Sequence, residues 1–102
     1  MVTAQDPAIY RPHIGTDFTI DAGDSRIALR LAGVVDDGTV TGMRQFSLLF
    51  HGPGDRVLAD GIYSMQHPAL GALDIFIVPV AGTTAARAIY QACFSAPEAG
   101  HE

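Results

Sequence analysis

The side chains best suited to chemistry are four histidines, His13, His51, His67 and His101, and one cysteine, Cys93. The histidines are widely separated and form no HxH or HExxH pair, the spacing by which one element normally presents two metal ligands. His67 alternates with Tyr63 and Met65 in "GIYSMQH", so it can point inward, where one nearby aspartate would complete a partial metal triad. The commoner role for such a residue is a strand-end histidine bonded to a turn carbonyl, and the spacing favours that role. Asp21, Asp24, Asp36, Asp37, Asp55 and Asp60 fall in expected loops, where converging carboxylates could hold calcium. They do not follow the EF-hand order, and aspartate is equally a turn-forming residue. Ser47 and Ser64 have histidines a few residues away, but "FSLLF" is not the GxSxG elbow a serine nucleophile needs. Cys93 with His51 or His67 would make a thiol dyad, although a lone cysteine in an alternating apolar strand is usually a small core residue. The "GPG" of residues 52–54 has neither the Walker spacing nor a following lysine. These readings call for no catalytic residue, no cofactor and no metal ligand set.

Composition narrows the partners. The chain has 102 residues, 48% of them apolar and 17% charged, as expected of one globular domain with its own core. Its six basic residues are all arginine, scattered among eleven carboxylates, for a net charge of −5. Phosphate binding depends on a local excess of positive charge, so nucleic acid and anionic membrane are disfavoured as partners. One cysteine allows no intramolecular disulfide. The opening "MVTAQDPAIYRPH" has no charged n-region or apolar h-region, and no apolar run reaches the roughly 18 residues of a membrane span. A cytoplasmic start is the expectation, with a place in an extracellular or phage-like assembly compatible with it.

The elements that must position these side chains read as strands. In "RIALRLAGVV", Ile27, Leu29 and Leu31 alternate with Ala28, Arg30 and Ala32, the period of two expected when one sheet face is buried. Phe18 and Ile20 share a side in "DFTI"; Phe46, Leu48 and Phe50 oppose Gln45, Ser47 and Leu49; Tyr63, Met65 and His67 oppose Ile62, Ser64 and Gln66. "DDGT" at residues 36–39 reads as a turn, and "PALGA" as a hairpin connection in which Pro68 fixes φ and Gly71 supplies a left-handed residue. Pro79 cannot donate to a ladder and belongs at an edge or a bulge. The segment "TTAARAIYQACFS" fits either a helix capped by Thr84 or a strand in which Ala88, Tyr90, Ala92 and Phe94 alternate; strand is preferred, because it covers an otherwise open edge.

"LDIFIVPV" and "SLLF" carry large apolar residues on both faces, where a six-stranded domain of this size should be polar outside. Leu49, Phe76 and Val78 are therefore expected to form an exposed patch that meets another chain, unless a closed arrangement buries both faces.

The segments "GTDF", "FSLLFHGP", "GIYSMQHPALGALDIFIVPV" and "YQACF" together resemble a small bacterial domain family over about residues 14–95. That resemblance implies an accessory or structural role beside tail-collar fibre proteins of the microcystin-dependent type, and it brings no catalytic residue. The positions it shares, Gly61, Tyr63, His67, Pro68, Gly71 and Pro79, are turn and packing types.

The sequence thus predicts an all-β antiparallel meander of about six strands, a small barrel or sandwich. Residues 1–12 are expected as an extended arm, 13–95 as the β domain and 96–102 as a flexible tail. The function expected is a non-enzymatic module that binds itself or a fibre protein through apolar and edge-strand surface, with His67, Pro68 and Gly71 locking one turn. The competing expectation is a small ligand- or metal-binding barrel, even an enzyme, with His67, Tyr63 and His51 in its mouth.

Overall fold

A computed structural model describes residues 7–22, 25–40, 42–54, 57–80, 84 and 86–97. Six strands, β1 (Asp17–Ala22), β2 (Ser25–Val40), β3 (Met43–Pro53), β4 (Gly61–His67), β5 (Gly71–Pro79) and β6 (Arg87–Pro97), close into an antiparallel barrel. Side-chain alternation is the reason. Phe18, Ile20, Ile27, Leu29, Leu31, Phe46, Leu48, Phe50, Met65, Ile75, Ile77, Ala88, Tyr90 and Ala92 all turn inward and are buried. The expected two-sided alternation of β2, β3 and β4 is observed, with Ser47 buried although it stands opposite the core face of β3, and residues 90–94 are strand, not helix.

Strand order is β1-β2-β3-β6-β5-β4. Each half of the chain is a meander, and the halves join through β3 to β6 and β4 to β1 instead of continuing from β3 to β4. The two kinds of join differ in strength. Full-length ladders run from β2 to β3 and from β3 to β6. The β4–β5 hairpin is tied in by two residue pairs on each side, Thr19 with Gln66 and Ile20 with Met65, then Val78 with Gln91 and Pro79 with Tyr90. Pro79 stands in the last residue pair of this short seam, and the Val80 amide just beyond it donates to the Ile89 carbonyl at 2.9 Å.

Four expectations need correction. The turn expected at residues 36–39 is a bulge inside β2, which pairs with β3 through Val40 and Met43. Its local chemistry is as read: the Gly38 amide donates to Asp36 Oδ1 at 3.0 Å and Gly38 has φ 80°. An aspartate–glycine pair satisfies a bulge as well as a turn, because both need one left-handed residue. Asp36 and Asp37 consequently stand within β2, and Asp21 stands within β1, not in loops.

Over residues 1–12, where an extended arm was expected, the chain from Pro7 makes two 3-10 turns, Pro7–Ile9 and Arg11–His13, and Tyr10 between them is completely buried. An aromatic ring gains more from an apolar socket than a proline-restricted arm loses by turning. Residues 1–6 lie outside the described residues. At the other terminus β6 continues to Pro97, into the expected tail; residues 98–102 lie outside the described residues.

Residues 7–16 form a strap over one end of the barrel. Tyr10 sits 6.0–6.5 Å, ring to ring, from Phe18, Phe46 and Phe94. At the other end Leu58 packs against the core and its amide donates to the Tyr90 hydroxyl at 2.8 Å, while the Tyr63 hydroxyl donates to the Ala59 carbonyl at 2.8 Å. Among the described residues no helix is long and apolar enough to cross a membrane.

Candidate functional site

His67 closes β4, opposite Gly71, which opens β5 with φ 78°. Its inward position follows from the period of β4: Met65 and His67 are buried while Ile62, Ser64 and Gln66 are exposed. The Ala69 amide donates to His67 Nδ1 at 3.0 Å. A backbone N–H can only donate, so Nδ1 is an acceptor and the neutral ring carries its proton on Nε2. Nε2 lies 3.0 Å from Thr16 Oγ1, and that hydroxyl donates in turn to the His13 carbonyl. The ring is packed against His13 at 4.6 Å and Phe18 at 4.5 Å. Burial, and then the neighbouring His13, hold the His67 imidazole below the ordinary histidine range. The same residue thus contacts both the Pro68–Gly71 turn, through Ala69, and the strap, through Thr16 and His13.

Both ring nitrogens of His67 are engaged within the chain, so neither is available to a serine or a metal without breaking a bond. His51, Tyr63 and His67 are not brought together. His51 points outward from β3, paired with Arg30 of β2 and Ile89 of β6, in a shallow groove with Asp17, Gly52 and Arg87. Burial, followed by Arg87, lowers its pKa. Tyr63 faces the opposite end of β4 from His67. Among the described residues no group of three His, Cys, Asp or Glu could hold a metal ion. Asp24, Asp55 and His101 lie outside the described residues. Cys93 is exposed on the outer side of β6, not in the core, because Ala92 and Phe94 take the inward positions.

The outer surface carries the other distinctive feature. Phe76 and Val78 are 51% and 38% exposed, while Leu49 is half-buried. Sequence reasoning missed Ile62, the most exposed large apolar side chain at 72%. Its signal was present: an isoleucine stands on the face of β4 that Ser64 and Gln66 mark as outward. Register joins these residues into one row, Ile62 beside Phe76, Val78 beside Gln91, and Gln91 beside Leu49. The row crosses β4, β5, β6 and β3, and no charged residue stands in it. Asp74 lies to one side of it, two residues before Phe76, and His51 lies to the other.

Residues 6–94 match a family model described as Domain of unknown function (DUF6916), and the chain belongs to that family. No curated protein and no solved structure matches it.

Proposed function

We propose that the chain is a non-enzymatic interaction module that assembles with a second copy of itself through the outer face of β4, β5, β6 and β3. The observation that carries this reading is the uncharged row in which exposed Ile62, Phe76 and Val78 run by register through Gln91 to half-buried Leu49. Exposed apolar side chains are unremarkable singly, whereas a contiguous row bordered by polar groups is the form an interface takes. The absence of charge in the row fits a second copy. Two molecules of net charge −5 repel overall, and a twofold contact sets each residue near its own counterpart, so a self-contact is confined to a face without charge.

Absence of enzymatic activity is part of the same reading. Its support is that His67 is committed to Thr16 and Ala69, and that His51 and Tyr63 lie elsewhere. The resemblance noted in sequence adds a direction, an accessory role beside tail-collar fibre proteins, and that association rests on the resemblance alone.

Salt gives the reading a specific test. Apolar self-association opposed by like net charge strengthens when the repulsion is screened. Sedimentation equilibrium in low and in high sodium chloride should show a dimer whose association constant rises with salt. A constant that falls with salt would assign the contact to ion pairs and reject this face.

A further inference from the structure

Polar contacts between the strap and the barrel converge around His67 and Leu31. The Gly15 amide donates to the Leu31 carbonyl at 2.7 Å, and the Leu31 amide to the Thr16 carbonyl at 3.0 Å. Thr16 then meets His67 Nε2, and the His13 ring rests edge-on against the His67 ring. Farther out, Arg11 pairs with Asp36 at 3.2 Å in an exposed contact of little strength. Beneath these contacts Tyr10 fills a socket made by Phe18, Phe46 and Phe94, in which Phe46 and Phe94 stack at 4.8 Å.

We propose that His67 is the pin of an acid-sensitive latch: a proton on Nδ1 sets its N–H against the Ala69 N–H, the ring turns out of its place and leaves Thr16 and His13, and the strap, with Tyr10, is freed from the barrel end. The geometry makes the neutral ring obligatory. With Nδ1 accepting and Nε2 facing Thr16, the neutral imidazole satisfies both partners, whereas the imidazolium sets one N–H against the Ala69 N–H. The groups facing His67 give the cation little help. From the strap comes His13, a second imidazole in ring contact at 4.6 Å. From β1 and β2 come Asp21 and Arg26, cross-strand partners of opposite sign in the groove beside His67. From β1 comes also the apolar ring of Phe18, packed on the imidazole at 4.5 Å. Burial and His13 both oppose the charge, in agreement with this geometry.

The strap yields before the barrel because the ladders β2–β3 and β3–β6 do not pass through His67. Release uncovers an apolar socket at the end of the barrel, separate from the outer row, so this inference is independent of the assembly reading.

Residue-resolved amide exchange on the full chain at pH 7 and about pH 4.5 tests the latch. In the wild type the protection factors of Gly15, Leu31 and Ala69 should fall at the lower pH, by about tenfold for each unit that His67 titrates below free histidine. Leu48 and Tyr90, in the β3–β6 ladder, should keep theirs. In His67→Asn, whose amide oxygen can accept from Ala69 without titrating, strap protection should be equal at both values. Unchanged wild-type protection, a parallel loss in strap and ladder, or a pH response that survives in His67→Asn would each overturn the latch. Should that variant not fold, the wild-type imidazole titration decides: its midpoint must coincide with strap opening, and midpoints more than about a unit apart overturn the proposal.

Discussion

His67 concentrates more of the structure than any other polar residue. Replacing it with alanine removes a buried ring, the acceptor of the Ala69 amide and the partner of Thr16. A loss of about 2–4 kcal/mol is expected, read as a lowered denaturation midpoint at pH 7. The pH dependence has a definite sign. The folded pKa lies below the ordinary value of about 6.5, so the unfolded chain takes up the proton first as pH falls. The contribution of His67 is therefore complete above that value and is lost as pH drops from about 6.5 through the lower folded pKa. Thermal melts across this window should show the wild type losing stability and His67→Ala losing less. Gly52 gives a second residue-scale prediction. A Cβ there would lie 2.6 Å from Leu29 Cδ2 and 3.4 Å from the Tyr90 ring, so Gly52→Ala should cost about 1–3 kcal/mol in chemical denaturation. The turn role of His67 was legible from its place before Pro68 and Gly71. Its contact with Thr16 spans 51 residues of chain, and no local pattern could announce it.

Strands and connections were legible to different degrees. Alternation identified β2, β3, β4 and β6 because each has one buried and one outer face. The aspartate–glycine signal at residues 36–39 was correctly read as chemistry and wrongly as a turn. Whether one left-handed residue ends a strand or bulges it depends on the partner strand, and β3 continues alongside through Arg44 and Met43. Tyr10 was hidden for a related reason, since a tyrosine between prolines in a polar segment has no periodicity to mark it as core. The strap is nonetheless structural. Tyr10→Ala should destabilise the fold by about 3–5 kcal/mol, the cost of emptying an aromatic socket, measured by urea denaturation. At the opposite end, Tyr90→Phe removes the acceptor of the Leu58 amide and should cost about 1–2 kcal/mol.

At the scale of the whole molecule, closure explains why apolar residues appear on both faces of the sequence. The barrel uses one face of every strand for its core, and the two seams of the β4–β5 hairpin are short. What remains outside on that hairpin, Ile62, Phe76 and Val78, contributes nothing to the core and is free to serve a contact. Phe76 and Val78 were legible as surplus hydrophobicity in "LDIFIVPV"; the continuity of the row through Gln91 to Leu49 required the register of β6 between β3 and β5. The central claim is that this row joins two copies. Light scattering over a concentration series, on the wild type and on the Ile62→Ser, Phe76→Ser double variant, tests it most directly. The wild type should form a concentration-dependent dimer and the variant a monomer of unchanged melting temperature; a wild type that stays monomeric at every concentration would show that the row joins no second copy.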